Sequence, residues 1–294
     1  MAQELNAAMI RAWLPPRPEK GHKGTFGHLF VLAGSRGFTG AAKLTCMGAY
    51  RAGAGLVTLG IPHPLADVVA AGLLETMSLP LPATEMETFS EDAATPALAF
   101  ASSKDAVVLG PGLSRHPDTT RFVHACVTRC PVPLLVDADG LNALSENMET
   151  LLESTAAPLV LTPHPGEMAR LADCGTEAIQ RDREAAAAAF SRRYDCVVVL
   201  KGFRTVIAGP GEAVYVNTTG NSGLGTGGTG DVLSGVIGGL LAQRMSPLEA
   251  ACVGVYAHGL AGDLAAAART QRGMTAGDVV EALPEAWREL ESSV

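Results

Sequence analysis

The chain has 294 residues, 47% of them apolar, 18% charged and only 5% aromatic, with 22 basic against 30 acidic side chains and a formal charge of -8. That composition excludes a disordered or fibrous chain, and the lack of a basic run argues against a nucleic-acid partner. The six cysteines form no C-x-x-C pair, the N-terminal residues hold no apolar signal core and no charge-free apolar run nears about 20 residues, so a cytoplasmic protein with no zinc, disulfide or membrane framework is expected.

In chain order, short apolar runs bounded by Gly or Pro predict strands over 28–33, 56–61, 106–109, 134–136, 159–161 and 196–200. Helical patterns over 40–54, 64–72, 118–129, 166–172 and 178–193 lie between them. Repeated βα units of this kind predict an α/β fold around a mostly parallel sheet. Beyond residue 203, alternating stretches over 205–208 and 213–216 flank Gly209-Pro210-Gly211 and read as a hairpin, an antiparallel edge on that sheet. Helices are predicted over 231–243, 247–268 and 276–290. No linker, repeat or charge block divides the chain, so residues 1–294 are expected to form one three-layer αβα domain.

The most informative segment immediately precedes the helix predicted from Asp231. Gly220, Gly223, Gly225, Gly227, Gly228 and Gly230 fall within eleven residues. Missing Cβ atoms let backbone amides approach a ligand there, and the following helix aims its positive dipole end at the same place. Phosphate is the expected occupant; the plainer alternative is a surface loop with Asp231 as an ordinary N-cap. Residues 225–230 satisfy G-x-G-x-x-G but not in the first βα turn that a dinucleotide site requires, and the earlier loop 34–40 is no Walker loop, because Ala41 stands where lysine is needed. A glycine turn ending in Asp instead suits phosphoryl transfer: the amides hold the transferring oxygens while the carboxylate takes a proton from the attacking hydroxyl. Lys201 follows an apolar strand, where open α/β sheets place ligands, or else is a solvated lysine in a hairpin turn. His164, between Pro163 and Pro165, reads by itself as a satisfied turn residue.

The turn Gly227-Gly228-Thr229-Gly230-Asp231 resembles the anion hole and catalytic base of the ribokinase-like kinases. Over about residues 10–290 the chain is similar to the NAD(P)H-hydrate dehydratases, which use ADP or ATP to restore hydrated NADH and NADPH. The resemblance rests on ordered blocks that include Lys23-Gly24, Thr39-Gly40-Ala41-Ala42, Gly110-Pro111-Gly112-Leu113, Asp137-Ala138-Asp139-Gly140, Thr162-Pro163-His164-Pro165-Gly166-Glu167 and Lys201-Gly202. It implies a ribokinase-like sandwich, a stand-alone dehydratase without the epimerase domain that many bacterial members carry, and Asp231 as catalytic base. It further implies that Ala41, Gly112, His164 and Asp231 face the hydrated dinucleotide. Lys201, Gly202, Phe203, Arg204 and Thr205, with Gly227, Gly228, Thr229 and Gly230, would contact the adenine nucleotide. Asp137, Asp139 and Asn142 would help order Mg²⁺ and phosphate, and Glu167 would either orient metal-bound water or accompany a helix N-terminus. ADP is the expected donor over ATP, and a homotetramer the expected assembly. A small-alcohol kinase and a nucleotide-sensing module without turnover remain the alternatives, since the same turn would serve either.

Overall fold

The computed structural model describes residues 2–154 and 158–292. Its strands are β1 (Gln3–Glu4), β2 (His28–Leu32), β3 (Leu56–Pro62), β4 (Met77–Leu81), β5 (Ala106–Leu109), β6 (Leu134–Val136), β7 (Leu159–Leu161), β8 (Val197–Leu200), β9 (Val206–Ala208) and β10 (Val214–Val216). They form one ten-stranded sheet in the order β1-β10-β9-β8-β7-β6-β5-β2-β3-β4. From β4 across to β8 every neighbouring pair is parallel. β9 and β10 run antiparallel, the predicted hairpin, and β1 adds a further two-residue strand outside them.

The interior strands are buried on both faces, and their alternation sorts side chains into two cores. Leu29, Val31, Val57, Leu59, Val108, Val197 and Val199 pack under the helices Thr39–Arg51, Thr229–Ala242, Pro247–Ala268 and Ala276–Glu291. Phe30, Leu32, Val107, Leu109, Val198 and Leu200 face the helices Ala94–Ala101, Pro117–Arg129, Pro165–Leu171 and Arg183–Tyr194. This is the predicted three-layer arrangement. The helix Pro247–Ala268 is long and apolar enough to cross a membrane by length and composition, but most of it is buried within the fold.

Several predicted boundaries are corrected. The helix expected over 178–193 is two helices, Thr176–Arg181 and Arg183–Tyr194, because Asp182 adopts an extended backbone and its side chain accepts from the Ala185 amide, capping a new helix. The stretch 64–72 divides into a 3₁₀ turn, His63–Leu65, and the short helix Ala66–Ala70. The strand β4 was not predicted; its exposed Met77 and Ser78 and internal Pro80 mark an edge strand, with little of the apolar run that marks the interior ones.

Two helices approach more closely than ordinary side chains permit. A Cβ on Gly235 would lie 2.0 Å from the Thr45 carbonyl oxygen, and one on Gly48 would lie 2.4 Å from that of Val232. Helices Thr39–Arg51 and Thr229–Ala242 therefore touch backbone to backbone, which fixes the start of the glycine-turn helix against the first βα unit.

Candidate active site

The parallel strands end along one sheet edge, where Gly34, Gly110, Asp137, Thr162 and Lys201 follow β2, β5, β6, β7 and β8. The glycine turn arrives from the helical layer above. Gly228 caps the helix Thr229–Ala242 at φ 93°, a conformation open to glycine at little cost, in a position where a side chain would also strike Leu44. Among the described residues, the amides of Gly227, Gly228, Gly230 and Asp231 make no hydrogen bond. A helix start leaves such donors unpaired, and together they form a cradle for an anion.

Other residues hold this turn in shape, and sequence reasoning missed them. Asp263 accepts from the Gly220 amide at 2.8 Å and from Asn221 Nδ2 at 2.9 Å, while Asn221 Oδ1 accepts from the Gly223 amide at 2.9 Å. Thr229 turns its hydroxyl inward to the carbonyls of Leu224 and Thr226, and its amide also donates to Thr226, so this residue braces the turn. His258 is buried with its pKa lowered to about 4, chiefly by desolvation, and is therefore neutral. Its Nε2 donates to the Thr229 carbonyl at 2.9 Å.

Asp231 occupies the third position of the helix. Burial, reinforced by the nearby charge of Asp137, raises its carboxyl to about 7, against the opposing pull of Lys201. A carboxylate poised there is suited to proton transfer near neutrality. Lys201 reaches in from the end of β8. Its Nζ lies 2.6 Å from Asp137 Oδ1 and 3.9 Å from Glu167 Oε2, and it would lie 3.7 Å from a Cβ on Gly230. Desolvation pulls the lysine down, yet Asp137 and Glu167 hold it above its usual value, so it stays an ammonium. The other oxygen of Asp137 accepts from Ser234 Oγ at 2.7 Å, one helical turn after Asp231, which ties the catalytic-side helix to the sheet edge.

His164 caps the helix Pro165–Leu171. Its Nδ1 accepts from the Gly166 amide at 3.0 Å, and Glu167 Oε2 accepts from the His164 amide at 2.8 Å in a reciprocal capping box. Glu167 is thus both a helix N-terminus residue and part of the Lys201 cluster, and burial followed by Asp137 raises its carboxyl. Desolvation, followed by Lys201 and Arg170, lowers the His164 pKa, so the half-exposed ring, whose Nε2 lies 3.4 Å from Glu167 Oε1, is neutral at physiological pH.

Ala138 stands at φ 49° and ψ -118°, a strained conformation for a residue with a Cβ, and it turns its two neighbours apart. Asp137 points to Lys201, whereas Asp139 accepts from the Ser114 amide at 2.9 Å and from Asn142 Nδ2 at 3.1 Å. Asn142 Oδ1 in turn accepts from Arg170. Among the described residues no group of three His, Cys, Asp or Glu side chains is placed to hold a metal. A divalent ion here would keep water and ligand phosphates as most of its shell, the usual habit of Mg²⁺.

Ala41 and Gly112 meet where the segments after β2 and β5 converge: a Cβ on Gly112 would be 3.1 Å from that of Ala41 and 2.8 Å from that of Phe38. Phe38 is 55% exposed beside them and was not singled out from the sequence. Gly202 has φ 146°, and the loop it opens leaves the Phe203 side chain 87% exposed. The Arg204 guanidinium pairs with Glu4, and Thr205 Oγ1 donates to the Gly202 carbonyl. Asp231, Lys201, Asp137, Glu167, His164 and the glycine turn thus form one connected group, whereas the side chains of Phe203 and Arg204 lie outside it.

Residues 29–285 match the NAD(P)H-hydrate dehydratase family. The chain belongs to that family. The dehydratase-family chain is 47% identical over 290 residues to the bifunctional NAD(P)H-hydrate repair enzyme Nnr of Moorella thermoacetica, covering 99% of this chain but 54% of that protein. It thus spans about half the length of the first curated relatives it matches. It is 38% identical to the ADP-dependent (S)-NAD(P)H-hydrate dehydratase of Neisseria meningitidis, covering 90% of this chain and 86% of the relative. The crystal structure of the ADP/ATP-dependent NAD(P)H-hydrate dehydratase of Bacillus subtilis, co-crystallised with ATP and Mg²⁺, superposes with a TM-score of 0.86 at 31% identity, covering 99% of both chains. A ribokinase-like superfamily protein of Enterococcus faecalis, at TM-score 0.82 and 24% identity, shares the fold.

Proposed function

We propose that this chain repairs hydrated NADH and NADPH, dehydrating the S-epimer at the expense of ADP or ATP, with ADP the expected donor. The observation that carries the reading is Asp231, with its pKa raised to about 7 beside four backbone amides that have no acceptor among the described residues. The names of the Neisseria and Bacillus relatives support the substrate and the donor.

Hydroxide is a poor leaving group, and phosphorylation makes it a good one. Asp231 takes the proton of the C6 hydroxyl as its oxygen attacks the terminal phosphorus of ADP, releasing AMP, or of ATP, releasing ADP. The amides of Gly227, Gly228, Gly230 and Asp231 stabilise charge on the transferring oxygens. The C6–O bond then breaks with its electron pair leaving on phosphate, and loss of a proton from C5 restores the ring double bond. Lys201 keeps Asp137 and Glu167 paired, so that the acidic edge does not repel the incoming phosphates. Mg²⁺, bound chiefly through the nucleotide, would offset phosphate charge, with Asp137, Asp139, Asn142 and Glu167 ordering its water. Ala41, Gly112 and His164 border the place assigned to the hydrated ring, and the 201–205 loop that assigned to adenosine. A single domain, a homotetramer and a cytoplasmic location belong to the same reading.

The test is purified protein with hydrated NADH, Mg²⁺ and either ADP or ATP, followed by NADH absorbance and phosphate release. Recovery of NADH with stoichiometric phosphate is expected. A stable phosphate ester without NADH would mean a small-alcohol type of kinase, and no change with either donor would overturn the reading.

A further inference from the structure

Arg183 stands where a cation is poorly placed. It opens the helix Arg183–Tyr194, whose dipole disfavours positive charge at that end. Burial pulls its pKa below the usual arginine value with no charged neighbour to offset the effect. Its Nε is buried and has no partner among the described residues. What the guanidinium does have is backbone: Nη2 donates to the Leu200 carbonyl at 2.7 Å, and Nη1 donates to the carbonyls of Phe203 at 2.5 Å and Arg204 at 3.4 Å. A planar fork can gather three carbonyls this way; a compact ammonium cannot.

The carbonyls it gathers belong to the loop after β8. In a trans peptide the carbonyl of one residue and the amide of the next point in opposite directions, and this chain has no cis bond among its described residues. Drawing the Phe203 and Arg204 carbonyls toward Arg183 therefore turns the amides of Arg204 and Thr205 away from it. The Arg204 amide has no hydrogen-bond acceptor among the described residues, and the Thr205 amide has only the loose turn that brackets residues 203 and 204, with no bond of good geometry. The arrangement demands left-handed backbone at both Gly202, φ 146°, and Arg204, φ 55°. At Gly202 a Cβ would come within 3.0 Å of Nη2, so glycine also leaves room for the guanidinium. A strained loop with outward donors, held by a desolvated cation, is a local sacrifice of stability of the kind found at binding sites.

We propose that Arg183 is a positioning residue for the adenine nucleotide, holding the 201–205 loop so that the Arg204 and Thr205 amides face the ligand as donors. The proposal rests on the nucleotide reading given above. Arg183 itself touches no ligand in it.

The test compares wild type, R183K and R183M by calorimetric ADP binding without hydrate, by steady-state kinetics in both substrates, and by thermal unfolding. R183M is expected to weaken ADP binding at least tenfold and to raise the KM for ADP in proportion, with the KM for hydrated NADH changed less than twofold. R183K, keeping charge but not the fork, is expected to fall between. Wild-type ADP affinity in R183K overturns the proposal even if R183M does not fold, as does an equal rise of both KM values accompanied by a lowered Tm. Failure of the wild-type protein itself to bind ADP or ATP refutes the nucleotide reading instead, a result distinct from any difference between the variants.

Discussion

Asp231 is the group whose removal should divide stability from activity. A carboxyl raised from 3.8 to about 7 favours its protonated form by about 4 kcal/mol. With the side chain partly accessible to water, roughly half of this is expected to register as stability. Between pH 4 and pH 7 the folded protein retains a proton that the unfolded chain has released. Stability therefore falls as pH rises through that window, and the cost is fully present above it. Asp231→Asn removes the charge and keeps the shape. The variant should be more stable than wild type by about 2 kcal/mol at pH 8.5, a rise in Tm of roughly 3 °C for a chain of this length, and the advantage should shrink to less than half at pH 5. It should have no measurable turnover. Paired thermal melts at the two pH values give the answer: an advantage independent of pH, or a variant less stable than wild type at pH 8.5, would refute the account of Asp231 as a desolvated, charge-crowded base.

Wild-type kcat/KM should rise with pH through about 7 as Asp231 ionises; an acid limb near 4 in the pH–rate profile would contradict that assignment. Lys201→Met strands the buried Asp137 carboxylate without its partner and should cost about 3 kcal/mol in urea unfolding. Any residual activity should show its acid limb at higher pH than wild type, because the cation that lowers Asp231 is gone. Gly235→Ala would ordinarily favour a helix by about 1 kcal/mol, yet here its methyl meets the Thr45 carbonyl oxygen at 2.0 Å. The variant should lose about 1–3 kcal/mol and at least tenfold in kcat as Asp231 shifts with its helix, and a raised Tm would show that the two backbones do not touch.

Much of this architecture is legible in the sequence because the interior strands are buried on both faces and so read as short unbroken apolar runs. The glycine turn and Asp231 stand out for a local reason as well, since dense glycine before a helix has few other uses. What escapes is whatever depends on distant parts of the chain meeting. Nothing near Lys201 announces that its ammonium lies against Asp137, 64 residues earlier, or that Ser234 holds the other oxygen. The strain at Ala138 is equally silent, because alanine is not a residue whose identity signals a left-handed backbone. Asp182 and Arg183 sit inside an apparently continuous helical pattern, and neither the Asp182 cap on the Ala185 amide nor the reach of Arg183 to the β8 loop can be read from it.

The two helical layers differ in how freely their residues can be exchanged. Among the described residues the fully buried set beneath the Thr229–Ala242 helix contains no aromatic ring, rings such as Tyr50 and Trp287 packing only at its margin, and its neighbouring helices meet through glycine backbones. The opposite layer holds Phe30, Phe89, Phe122 and Phe190 among leucines and a methionine, side chains that can trade volume with one another. Neutral drift should therefore run fast on the aromatic side and nearly halt on the side that carries Asp231. The constraint is sharpest at Gly48, Gly235 and Gly239, where any side chain would meet backbone of the facing helix and no neighbouring side chain can give way.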